Sequence, residues 1–151
     1  MTVTEAAIAR AATLIKEFEG CALAPYFCPA NYPTVGWGLR FRADGSRVTM
    51  DDPRITQAEA DDALTVALRE MAVRVDKMLP ERLTNNQRAA LYSFAWNLGE
   101  GALQQSTLLR LLNMDDDLGA MQQFMRWVNA GGKPLAGLIR RRAREAEVFM
   151  T

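Results

Sequence analysis

The residues best able to do chemistry near the start of this sequence are Glu19, Cys21 and Cys28. Glu19 stands four residues after Ile15, so on a helix its carboxyl continues an apolar stripe and ends it. Partial burial there favours the protonated form, which is the form a general acid needs. The chain has no histidine. That excludes Ser-His-Asp and Cys-His triads, and it leaves both cysteines without an imidazole to activate them or to share a zinc ion. Cys21 reads as a small buried hydrophobe, and both cysteines read as free thiols.

The elements that must hold these residues follow from periodicity and punctuation. Ile8, Ala11, Ala12, Ile15, Phe18 and Glu19 share one side of a 3.6-residue period, which predicts a helix from about Glu5 to Glu19, stopped by Gly20. From Tyr26 to Met50 prolines and glycines interrupt an aromatic run, and Asp44-Gly45 is a turn signal, so a small β-hairpin is expected there. Thr56 and Glu59 form a capping box that opens a long helix running to Pro80, and Thr84 with Gln87 forms a second, opening the most apolar helix of the chain. Helices are expected from Thr107 to Asn113, after Asp115–Asp117, and through Leu138 to Phe149, the last two separated by Gly131-Gly132 and Pro134. The expected class is α+β, mainly α. A single domain has a small N-terminal lobe with a β-hairpin over about 14–58, a connecting helix over about 56–79 and a larger helical lobe over about 80–151. A cleft between the lobes is the expected ligand site.

Composition narrows the function classes. The 151 residues carry 18 basic and 18 acidic side chains, so no strong overall field steers the molecule toward nucleic acid or anionic lipid. The start MTVTEAAIARAA has no basic leader, and no apolar run approaches the ~18 residues of a membrane span. The basic residues Arg140, Arg141, Arg142 and Arg144 make the last helix cationic, which on its own reads as a nucleic-acid patch.

The order Glu19, Cys28, Thr34 carries more. A Glu followed nine residues later by Asp or Cys, and six after that by Thr, resembles the catalytic spacing of phage-type lysozymes, glycoside hydrolase family 24. IKEFEG at Ile15–Gly20 and TVGWG at Thr34–Gly38 are similar to that family's helix end and following hairpin. NQRAALYSFAWNLGEGALQQSTLL, from Asn86, and RWVNAGGKPLAGLIRRRAREAE, from Arg126, are similar to its central helix and closing segment.

The resemblance implies a lysozyme-like fold and a muramidase that hydrolyses the β-1,4 bond between N-acetylmuramic acid and N-acetylglucosamine. It places Glu19 as general acid, Cys28 as the second catalytic residue and Thr34 as the hydroxyl holding the attacking water. It implies a glycan cleft lined by Arg40, Trp96 and Thr107. Cys28 stands where many relatives have Asp, which leaves its role and the anomeric outcome open. Leu39 stands where relatives commonly have His, so a contact of that imidazole is missing. The expected partner is bacterial peptidoglycan, with no cofactor, metal, nucleic acid or membrane insertion, in a monomer. The protein is expected in the host bacterial cytoplasm, reaching the periplasmic wall after holin-mediated release. The alternatives are a lytic transglycosylase and a non-catalytic wall-binding module on the same fold.

Overall fold

The computed structural model describes residues 4–151. The chain divides into two compact units, Glu19–Glu70 and a discontinuous one that joins the segment up to Phe18 with Met71–Thr151.

The unit Glu19–Glu70 begins with an antiparallel hairpin of β1 (Ala22–Phe27) and β2 (Pro33–Gly36), with Tyr26 opposite Thr34. Its tip is closed by the Cys28 amide donating to the Tyr32 carbonyl at 3.0 Å and the Asn31 amide donating to the Cys28 carbonyl at 2.7 Å. Asn31 takes a left-handed φ of 67°, a conformation Asn tolerates better than most residues. The turn of the hairpin therefore lies at Pro29–Asn31, not at Asp44-Gly45. The latter pair does turn the chain, but inside a loop closed by one bridge between Phe41 and Arg47.

The long helix α2 (Gln57–Asp76) leaves this unit for the other. Its start is the expected capping box, in which Thr56 Oγ1 accepts the Glu59 amide and Glu59 Oε1 accepts the Thr56 amide, each at 3.1 Å. Ala60, Leu64 and Leu68 are buried along one face. Gly36 is packed so tightly on that face that a Cβ there would lie 3.3 Å from the Ala60 Cβ. Trp37 Nε1 donates to Asp61 at 2.8 Å, and the Ile55 amide donates to the Leu23 carbonyl at 2.8 Å, tying loop and hairpin to the helix.

The discontinuous unit is helical: α1 (Glu5–Lys16), α3 (Asn85–Leu98), α4 (Glu100–Gln104), α5 (Thr107–Asn113), α6 (Asp117–Gln123) with a 3-10 turn at Phe124–Arg126, and α7 (Ala136–Met150). α1 ends at Lys16, three residues short of the expectation, because Phe18 already bonds back to Ile15 in the tighter i−3 pattern. The Thr84 capping box is present, and residues 88–95 of α3 are all buried, so this is the core helix on which α1 and α7 pack. Phe94 meets Phe124 and Trp127 edge to face at 5.7 and 5.4 Å. A second hairpin, β3 (Asn129–Ala130) with β4 (Lys133–Pro134), turns on Gly131 and Gly132, both with positive φ, where only separation of two helices was expected.

Two buried polar clusters hold the helices of this unit together. Asp76 Oδ1 accepts from Arg88 at 3.0 Å and from the Tyr92 hydroxyl at 2.6 Å, and burial pushes that phenol up. On α7, Glu145 accepts from Ser93 at 2.6 Å and from Arg142 Nη2 at 3.1 Å. Arg142 Nε lies 2.7 Å from the other Glu145 oxygen, an ion contact whose angle is not that of a hydrogen bond. Burial pushes the Glu145 carboxyl up and the Arg142 guanidinium down, each opposed by the other's charge. The arginine run is thus largely turned to internal use: Arg141 and Arg142 are buried and Arg144 pairs with Glu17, while Arg140 is exposed.

No helix among the described residues is long and apolar enough to cross a membrane. Of the start MTVTEAAIARAA, read as having no basic leader, residues 1–3 lie outside the described residues.

Candidate active site

Four of the six expected site residues belong to the unit Glu19–Glu70. Glu19 lies half-buried in the bend between α1 and β1, beyond the helix that was expected to carry it. Cys28, Thr34 and Arg40 come together around the tip of the first hairpin. Antiparallel pairing places Thr34 opposite Tyr26, two residues from Cys28, and the tight turn returns the chain so that Tyr32 lies between Cys28 and Thr34.

Each group has a defined state. Thr34 is 2 % exposed, and its hydroxyl donates to the Tyr32 carbonyl at 2.8 Å. A hydroxyl whose proton is so used offers its lone pairs to a second partner. The Cys28 thiol is held below its ordinary value, first by the Tyr32 backbone, with the Ala30 backbone and the charge of Arg40 adding to it, against the opposing pull of desolvation. Arg40 is stacked on Tyr32, with its guanidinium carbon 3.6 Å from the ring centroid. Cys28 and Cys21 are both free and half-buried, and Gln57 Nε2 lies 3.7 Å from the Cys21 sulfur.

Beside Arg40, a recess of about 340 Å³ is lined by Leu39, Phe41, Arg42, Ala63, Ala67 and Glu70. Leu39 pairs with Val35 through a backbone bridge and presents an apolar side chain to this recess.

Trp96 and Thr107 are in the other unit. Trp96 is half-buried in the last turn of α3, and Thr107 is the first residue of α5. Thr107, with Gln105 and Ser106, lines two adjoining recesses of about 230 and 310 Å³. Gln123, Arg126 and Trp127 complete the first, and Gln104, Leu109, Arg110 and Asn113 the second. Sequence reasoning missed these amides and arginines, and it missed Tyr32, whose signal was an aromatic residue two positions before Thr34.

Comparison with solved structures defines the fold class. A mutant of P22 lysozyme superposes with a TM-score of 0.84 at 30% identity, over 100% of this chain and 99% of that one. The muramidase domain of SpmX from Asticaccaulis excentricus superposes with a TM-score of 0.80 at 32% identity, over 99% and 98%. The fold is that of the lysozymes, α+β and mainly α.

The phage lysozyme profile matches residues 16–145. The endolysin of Bacillus phage B103 is 35% identical over 153 aligned positions, 100% of this chain and 55% of that protein. The chain belongs to the phage lysozyme family. It spans about half the length of the first curated relatives it matches.

Proposed function

We propose that this protein is an endolysin-type muramidase, acting as one lysozyme domain and hydrolysing the β-1,4 bond between N-acetylmuramic acid and N-acetylglucosamine in bacterial peptidoglycan. The observation that carries the reading is the cluster of Cys28, Thr34 and Arg40 at one hairpin tip, in the same compact unit as Glu19, in a member of the phage lysozyme family.

The roles follow from what each group can do. Glu19 gives its proton to the glycosidic oxygen as the bond to the muramic acid C1 breaks, and an oxocarbenium-like transition state develops. Thr34, its own proton committed to Tyr32, accepts a hydrogen bond from the attacking water. Cys28, held toward its thiolate, takes the proton that water loses as its oxygen joins C1. Trp96 and Thr107, with Arg40, are assigned to binding the glycan, by stacking on sugar faces and hydrogen bonding to ring substituents. The protein acts as a monomer on the periplasmic wall after a membrane lesion, made by a separate holin, lets it out of the cytoplasm.

Mass spectrometry of fragments released from purified peptidoglycan tests this. Wild type is expected to release fragments with reducing muramic acid ends, and Glu19→Gln to release none. Anhydro-muramic ends would make the protein a transglycosylase, and no release by wild type would leave a wall-binding module.

A further inference from the structure

Three interactions meet at Tyr32. Its carbonyl accepts both the Cys28 amide, at 3.0 Å, and the Thr34 hydroxyl, at 2.8 Å. Its ring lies against the Arg40 guanidinium, 3.6 Å away. The ring is no part of the core, for the residue is 43% exposed. Hydrophobic burial therefore does not account for it, whereas a flat face offered to a cation does.

We infer that Tyr32 is a positioning residue for the proposed reaction: its ring holds the Arg40 guanidinium at the hairpin tip that carries Cys28, while its carbonyl fixes the Cys28 backbone and the Thr34 hydroxyl. The inference rests on the muramidase reading above. An arginine side chain has many rotamers, and an unrestrained guanidinium would spread its charge over a wide volume of solvent. Stacking on an aromatic face confines it, and lysine could not be confined in the same way. Arg40 is the charged side chain that acts on the thiol, its charge adding to the larger effect of the Tyr32 and Ala30 backbone. A cation so placed favours the thiolate, which is the form able to accept a proton from water. The same residue thus prepares both acceptors of the attacking water, the sulfur through the cation its ring holds and the hydroxyl through its carbonyl. The balance is complete: one water proton goes to Cys28, the water oxygen goes to C1, and the proton of Glu19 leaves with the departing sugar oxygen.

The test uses Tyr32→Ala, which deletes the ring and keeps the backbone, with Arg40→Ala and Tyr32→Phe beside it. All are built on Cys21→Ser so that Cys28 alone reports. Two quantities are read: the rate of Cys28 alkylation by iodoacetamide across its titration, and kcat and KM on peptidoglycan. Tyr32→Ala is expected to move the alkylation midpoint to higher pH and to lower kcat on the order of tenfold, with KM changed less. Arg40→Ala should move the midpoint by the same amount, the double variant no further than either, and Tyr32→Phe should restore the wild-type midpoint. An alkylation midpoint unmoved in both Tyr32→Ala and Arg40→Ala overturns the inference, whatever the activity. A moved midpoint in a protein whose wild type cleaves no peptidoglycan supports the positioning geometry and overturns the muramidase reading instead.

Discussion

In the muramidase reading a thiol, Cys28, does the work of a carboxylate, and the two groups ionise in different pH ranges. The Cys28 thiol is held below its ordinary value by the Tyr32 backbone before all else. Its thiolate fraction still rises with pH, whereas an aspartate is ionised above about pH 4. The kcat/KM of wild type is therefore expected to climb on the alkaline side through the thiol titration, and Cys28→Asp to lose that climb. Once the thiol has ionised, Cys28→Ser should lie below both, by on the order of a hundredfold if the group takes a proton in the transition state. A pH-rate series on the three proteins decides it, and an identical climb in Cys28→Asp would remove Cys28 from the step. At this scale Glu19, Cys28 and Thr34 were candidates from the sequence because their types and separations are properties of the chain. Tyr32 was not, because its contribution lies in a carbonyl and a ring face whose directions depend on the left-handed turn at Asn31.

Elements were legible where a local signal has one outcome. The boxes at Thr56 and Thr84 form as expected because the side chains that cap are three residues from the amides they satisfy. The hairpin was misread because Asp44-Gly45 is a strong turn signal and Pro29–Asn31 a weak one, and pairing with β2 decided between them. The Gly131-Gly132 pair had two outcomes, helix separator or hairpin turn, and only tertiary context selects. The packing of β2 on α2 gives a prediction. Gly36 has φ 64° and a Cβ there would lie 3.3 Å from Ala60, while Gly38, with φ 84°, faces open space. Gly38→Ala should cost about 1–2 kcal/mol for backbone conformation alone. Gly36→Ala should cost more, since backbone strain and a crowded contact add. Urea unfolding midpoints measure both, and equal losses would show that the contact with α2 relaxes freely.

The seam between α3 and α7 depends on a carboxylate held by two buried guanidinium groups and a serine. Removing one member of such a cluster leaves the others charged and dry. Glu145→Gln keeps the shape and is expected to destabilise by about 3–5 kcal/mol. Thermal unfolding reads the loss, and a change within error of zero would mean that water enters the seam and solvates the arginines.

For the molecule as a whole, acid and chain connectivity set the limits of stability. Asp117 is held below the usual carboxylate range first by its hydrogen bond to Arg82, which also holds Asp115 and the Leu112 carbonyl. A carboxyl lowered in the folded state adds stability above its unfolded value and loses it as pH falls through the folded one. Arg82→Ala should therefore be less stable than wild type at neutral pH, and the gap should close below about pH 4. Both side chains are partly exposed, so the gap is screened by salt as well. A gap independent of pH would assign the role of Arg82 to the Leu112 carbonyl instead.

The first helix belongs to the unit formed by the last half of the sequence, not to the hairpin that follows it. Ile8, Leu14 and Ile15 on α1 are buried, and α1 packs on the core helix α3. Burying one such side chain contributes roughly 1.5–3 kcal/mol. Three together approach the ~5–15 kcal/mol that keeps a whole domain folded. Two further contacts close the ring of sequence: Glu17 pairs with Arg144 at 3.1 Å, and the Phe18 ring lies 5.6 Å from the Arg141 guanidinium. The segment Met71–Thr151 made alone should therefore fail to fold cooperatively, although it contains, in whole or part, six of the seven α-helices among the described residues. A permuted chain that attaches the α1 segment behind Thr151 supplies the missing face, and its thermal unfolding should regain a single sharp transition. If Met71–Thr151 melts cooperatively without α1, the helical unit owes its core to α3 and α7 alone, and the sequence distance between α1 and its partners carries no energetic weight.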